Sequence, residues 1–272
     1  MKFVNNSAIF AWFGINIPFP ERVRLIRDAG FDATALWWEE DHPAGRAWRD
    51  RAVECVREGG LDIDHLHAPY RRCNQLWSAN ADERAASVEE HAGWVKDCAR
   101  HGVPFLVMHP TLGADPPAVS LTGLGSFRRI ADAAEEFGVV VALENMRANA
   151  HLEAVLSAID SKHLGLCFDV SHDRLWNEKP LQLVEQWGHR VVTTHICDTD
   201  GRRDRHWLPG DGVADIRGAI DMLVERGYAG ATVLEVVPAR RDCAPAEFLA
   251  EARRRLVSMI ENGPVAAQSA VV

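Results

Sequence analysis

Six stretches of this 272-residue chain end a short apolar run on residues of metal-ligand type. They read His65-Leu-His67-Ala-Pro-Tyr70, Val107-Met-His109-Pro110, Ala142-Leu-Glu144-Asn145, Cys167-Phe-Asp169-Val-Ser-His172, Thr194-His195-Ile-Cys-Asp198 and Val233-Leu-Glu235-Val236. One histidine at the end of one strand is ordinarily structural, but six consecutive runs ending this way form a pattern. A carboxylate flanked by aliphatics, as at Glu144 and Glu235, is costly to bury alone, and a shared cation is the common partner that relieves it. Such a cation polarises a carbonyl or phosphoryl oxygen.

For these side chains to meet, their runs must lie side by side in one sheet. Apolar runs at Ala8–Phe13, Ala33–Trp38, Ile63–Ala68, Phe105–His109, Val139–Glu144, Leu164–Val170, Val191–Cys197 and Ala231–Val237 predict eight strands. Amphipathic stretches at Glu21–Ala29, Ala47–Glu58, Glu83–Arg100, Gly125–Phe137, Leu152–Ile159, Leu181–Trp187, Ile216–Arg226 and Ala246–Ile260 predict a helix after each. Several close at a glycine, as at Gly30, Gly102 and Gly138. The alternation predicts an α/β fold, a single-domain (β/α)8 TIM barrel over residues 1–261, with a weakly patterned C-terminal tail over 262–272. Active sites of such barrels lie at the C-terminal strand ends, where the ligand-type residues stand. No GxGxxG or GxxxxGK[ST] loop follows any predicted strand, which argues against nucleotide binding.

Bulk properties agree. The length suits one barrel of about 250 residues, and 47% hydrophobic with 25% charged residues is an ordinary globular composition. A net charge of −9 argues against nucleic acid as a partner. Six scattered cysteines without a CxxC pair, no signal peptide and no apolar span suit a cytoplasmic protein with no membrane partner. Oligomeric state stays open, a homo-oligomer included.

The strand-end pattern resembles the xylose-isomerase-like barrel superfamily, which includes sugar isomerases, ketose 3-epimerases, inosose-processing enzymes and the endonuclease IV family. The resemblance runs from about Ala8 to Ile260. The opening Ala11-Trp-Phe-Gly14, Glu21-Arg-Val, Ala29-Gly-Phe-Asp and Leu36-Trp-Trp38 is similar to the group described as sugar phosphate isomerase/epimerase. The resemblance implies Glu144, Asp169, His195 and Glu235 as ligands of one divalent metal. A carboxylate-rich set with one imidazole suits Mn2+, Mg2+ or Co2+ at least as well as Zn2+. It also implies His67, His109, His172, Asp204 and His206 as ligands of up to two further metals. That leaves an endonuclease IV-like multinuclear phosphoesterase as the alternative, although Thr111 stands where that family has glycine after His109-Pro110.

The reading that follows is a metal-dependent isomerase or epimerase of a sugar, sugar phosphate or related polyol carbonyl compound, acting through a metal-stabilised enediolate. Glu144 and Glu235 exchange the proton and His172 orients or protonates a substrate oxygen. His67 and His109 are free to touch substrate. Trp12 and Trp38 are candidates to stack on a sugar, and Arg202 to hold an anionic group on it. Asp198 is expected to support His195 from behind.

Overall fold

Runs such as Val140-Val-Ala-Leu-Glu144 are apolar on both faces, as strands covered on both sides require. The computed structural model describes residues 7–11, 13, 17–38, 45–238 and 243–261; the expected tail over 262–272 lies outside them. The strands are β1 Ser7–Ala11, β2 Ala33–Trp37, β3 Asp62–His67, β4 Phe105–Met108, β5 Val140–Glu144, β6 Leu164–Asp169, β7 Val191–His195 and β8 Thr232–Val236. The helices are α1 Phe19–Asp28, α2 Gly45–Glu58, α3 Ala81–His101, α4 Leu121–Phe137, α5 Asn149–Ala158, α6 Val170–Trp176, α7 Gln182–Trp187, α8 Ile216–Glu225 and α9 Pro245–Glu261.

All strand pairs are parallel and follow chain order from β1 to β7, with β8 returning to pair with β1. Ile196 completes the ring: its N–H donates to Val233 at 2.8 Å and its carbonyl accepts from Glu235 N–H at 3.2 Å. The chain is thus the single-domain TIM barrel that the alternation predicts. Its main core lies between the strands and the helices. The inside of the ring holds small residues, Ala8, Ala33 and Val233 on one side and Val107, Ala142 and Cys167 on the other, because eight strands enclose little volume. All six cysteines are free, and no helix among the described residues is long and apolar enough to cross a membrane.

Helical segments that escape the periodicity include a 3-10 turn at Cys73–Trp77 and, second, the short α6. The second has a local cause, since Asp169 closes β6 and caps α6, its Oδ1 accepting from His172 N–H at 2.7 Å. Residue types that end a strand and start a helix within one position carry no period to detect.

β7 is followed by a folded-back loop over 199–214. Asp198 organises it, accepting from the backbone N–H of Thr199, Gly210, Gly212 and Ala214 at 2.8–3.0 Å. A Cβ at Gly212 would sit 2.1 Å from the Thr199 carbonyl, so only glycine permits this approach. Asp198 therefore holds the loop that carries Asp204 and His206, rather than backing His195. Hydrogen bonds to a charged group contribute about 1.5–3 kcal/mol each before coupling. Asp198→Ala should lower stability by about 3 kcal/mol or more, read as a shifted denaturant midpoint; a shift below about 1 kcal/mol would remove this role.

Candidate metal centre

The ends of β5, β6, β7 and β8 bring Glu144, Asp169, His195 and Glu235 together. One ligand atom from each lies within 4.8 Å of all the others, and all four residues are buried. His195 Nδ1 stands 3.1 Å from Glu144 Oε1 and 3.0 Å from Glu235 Oε2. With Asp169 Oδ1 given to the α6 backbone, its Oδ2 faces the cluster, 3.8 Å from Cys197 Sγ.

Three carboxylates at this spacing, out of water, repel one another. Burial pushes the Asp169 carboxyl up to about 7; Glu144, Glu235 and Asp204 add to the push against the pull of His172. Burial alone would lower His195, yet Cys167, Glu235 and Glu144 hold it well above its ordinary value. Glu235 Oε2 is buried without a well-directed hydrogen-bond donor. Hard oxygens in excess of cations, one imidazole and an orphaned carboxylate oxygen are a donor set that fits a divalent metal.

A second circle surrounds this centre. His67 Nε2 and His109 Nε2 approach Glu144 Oε2 at 3.2 and 3.0 Å, and His67, His109 and Glu144 also form a ligand-ready trio. Aromatic rings pin both histidines: His67 stacks on Trp37 at 4.9 Å and His109 on Tyr70 at 4.8 Å. His172 Nδ1 lies 3.0 Å from the Asn145 carbonyl, its Nε2 lies 3.0 Å from Asp204 Oδ2, and its ring stacks on Trp176. His206 Nε2 reaches the same Asp204 oxygen at 3.1 Å from a backbone with φ of 48°, a strained conformation for histidine.

Beneath the centre runs a chain of contacts across the barrel interior. Asp64 Oδ2 accepts from Thr193 Oγ1 at 2.7 Å and faces His65 Nδ1 at 2.8 Å. His65 Nε2 in turn faces His195 Nε2 at 3.3 Å. A carboxylate only accepts, so His65 carries its proton on Nδ1 and offers the Nε2 lone pair. His195 then donates from Nε2, and the proton held on Nδ1 between Glu144 and Glu235 is the one a metal would replace. Burial lowers the His65 pKa against the pull of Asp64, keeping the relay imidazole neutral.

The rim closes over a cavity of about 610 Å3 lined by Phe10, Arg22, Trp37, Tyr70, His172 and Trp176, with Glu144 and Glu235 in its floor. That volume falls within the roughly 300–1,000 Å3 of small-molecule sites. All nine ligand-type residues expected from the sequence converge on this region. Two other expected residues do not. Trp38 is buried on the outer face of the barrel, its Nε1 donating to Asp97 at 2.9 Å beneath the Arg49 guanidinium, so it packs α2 and α3 against the strands. Its neighbour Trp37 has the inward parity of Ala33 and lines the cavity instead. Arg202 is exposed, with its backbone N–H turned to Asp200, and the cavity has Arg22 in its wall. Trp12 lies outside the described residues. Sequence reasoning missed Asp64 and Arg22, gave no separate role to His65 and Tyr70, and preferred Trp38 to Trp37 and Trp176; strand parity alone would have favoured Trp37.

A parallel eight-stranded barrel with a buried carboxylate and imidazole cluster at its C-terminal mouth has the architecture of barrels that place their active sites at the strand ends. The chain belongs to the xylose isomerase-like TIM barrel family, which it matches over residues 23–259. It is 28% identical over 226 residues to the uncharacterized protein y4fM of Sinorhizobium fredii, covering 70% of this chain and 72% of the other. To the fructoselysine 3-epimerase of Shigella flexneri it is 30% identical over 90 residues, about a third of each chain. The fold matches D-psicose 3-epimerase from Clostridium cellulolyticum H10, with TM-score 0.77, 13% identity, and coverage of 93% of this chain and 99% of the other. It also matches a zinc-bound IolI protein, with TM-score 0.75, 19% identity, and coverage of 94% and 98%.

Two outcomes follow from this geometry. A metal must displace the proton on Asp169, so apparent Mn2+ or Zn2+ affinity should drop at least tenfold for each pH unit below about 7; a flat profile between pH 5 and 7 contradicts the assignment. Asp64→Leu, near-isosteric but without the oxygen that accepts from His65 Nδ1, should let His65 carry its proton on Nε2 and so turn His195 Nε2 into the acceptor, with the His195 proton on Nδ1. Metal affinity should fall about 10- to 100-fold in a competition titration with a chelator, without a matching loss of fold, and an unchanged dissociation constant would dismiss the relay.

Proposed function

We propose that the protein is a divalent-metal-dependent isomerase or epimerase of a sugar or related polyol carbonyl compound. The observation that carries this reading is the division of labour inside the cluster. Glu144 and Glu235 reach the cavity, whereas Asp169 and His195 are not among its lining residues. Two carboxylates thus meet the substrate while the other two members hold the centre from below. The epimerase names among the relatives and structural neighbours support the same reaction class.

Glu144, Asp169, His195 and Glu235 would hold the metal, which when bound supplies Lewis-acid stabilisation of an enediolate. Glu235, which lines the cavity floor and whose Oε2 lies 3.0 Å from His195 Nδ1, takes the proton from the carbon next to the carbonyl. Glu144, whose Oε2 is clasped by His67 and His109, returns a proton from the other side. Burial would lower the His172 pKa, but Asp169, Asp204 and Glu144 hold it well above its ordinary value, so the ring is cationic, and its Nε2–H would reach a substrate oxygen by exchanging Asp204 for it. Trp37 and Trp176 offer ring faces to a sugar's C–H surface and keep water away.

The ligand-ready trio of His67, His109 and Glu144 favours a second reading, a multinuclear phosphoesterase, because a second metal there would clamp a phosphoryl group.

Incubated with D-fructose, D-psicose and D-tagatose in deuterated water, the metal-loaded protein should place deuterium next to the carbonyl. Glu235→Gln should reduce this about 100-fold or more, even with metal resupplied. Turnover without label would reject proton transfer through Glu235. Cleavage of a phosphodiester reporter with no sugar turnover, together with two or more metals in anomalous diffraction, would select the phosphoesterase.

A further inference from the structure

Arg22 stands in the first turns of α1, where it lines both the metal-centre cavity and a second chamber of about 330 Å3. Phe10, Ala11 and Trp37 also line both spaces, so the chamber opens directly off the cavity. Phe10 pairs in register with Glu235 across β1 and β8, so the shared wall begins at the metal centre itself. The remaining chamber wall is largely apolar, with Ile17, Phe19, Leu36 and Trp48.

A guanidinium stays charged and carries five donors. Elsewhere arginines of this protein meet carboxylates: Arg205 pairs with Asp200, Arg217 with Asp221 and Arg255 with Asp211. Arg22 has no ion pair among the described residues, and its Nε is buried without an acceptor. It lies 5.9 Å from the centroids of the Phe13 and Phe19 rings, which hold the group in place but accept none of its hydrogen bonds. Burial pulls its pKa down with nothing opposing. A half-buried cation with unused donors, in the wall of a cavity whose other charged side chains are acids and histidines, meets no anion among the described residues.

We propose that Arg22 binds an anionic group, a phosphate or a carboxylate, at the end of the substrate remote from the metal. This rests on reading the cavity as a sugar site, and it narrows the substrate to an acidic sugar derivative: the carbonyl end lies on Glu144 and Glu235, the chain crosses Phe10 and Trp37, and the anion meets the guanidinium fork.

The test is calorimetric titration of the metal-loaded protein with D-fructose, D-fructose 6-phosphate and D-fructuronate. At least one acidic sugar should bind tenfold or more tightly than fructose, and which one does so identifies phosphate or carboxylate as the group. Arg22→Met keeps the packing on Phe13 and Phe19 and should collapse that ratio to about one, while Arg22→Lys should retain part of it. Equal affinity for all three sugars overturns the proposal. So does an acidic preference that survives in Arg22→Met, since the anion would then sit on the metal. Binding is read without turnover, so an absence of deuterium exchange would defeat the isomerase reading and leave the Arg22 result standing.

Discussion

The structure depends on one electrostatic constraint: Glu144, Asp169 and Glu235 are buried within ligand distance of one another at the barrel mouth. Three carboxylates in that volume are unfavourable unless positive charge is shared among them. The molecule answers with His195 inside the cluster and with His67, His109, His172 and His206 around it. Even so, the Asp169 carboxyl is pushed toward neutrality by burial. A divalent cation would resolve the conflict and would leave the surrounding histidines to act on whatever fills the cavity.

Parallel strands make this concentration feasible. Each contributes its last inward residue to the same small disc, while small side chains below, such as Ala142 and Cys167, leave the rigid ring packed without crowding it. Less regular features finish the arrangement. Asp169 serves a helix with one oxygen and the centre with the other, so the ligand cannot rotate away without unfolding the start of α6. Asp198 gathers four backbone N–H groups and so brings Asp204 and His206 over the rim from a loop that has almost no regular structure.

The β3 strand shows how a local irregularity becomes functional. Pairing between β2 and β3 shifts register, with Thr34 opposite Ile63 but Leu36 opposite Leu66. The extra residue on β3 lets two consecutive side chains, Asp64 and His65, both reach the barrel interior, one to Thr193 and the other to His195. A regular strand would send one of them to the outer face, and the chain that sets the His195 tautomer would be broken.

Family resemblance implied Glu144, Asp169, His195 and Glu235 as one metal set; the sequence by itself determined the eight-fold alternation and the strands that end in ligand-type residues. These are properties of periodicity and residue type, and burying carboxylates among aliphatics has few physical solutions. Tertiary structure alone decided what surrounds them. Trp37 rather than Trp38 faces the cavity because strand parity, not residue type, assigns a side chain to a face. Asp64 and His65 share the interior because a register shift breaks that parity. Arg22, not Arg202, enters the substrate wall because α1 packs beside β1 at the mouth, whereas Arg202 rides the outside of its loop. Which residues become neighbours when separated by more than 100 positions, as His65 and His195 are at 130, is settled by closure of the ring, and no local pattern encodes it.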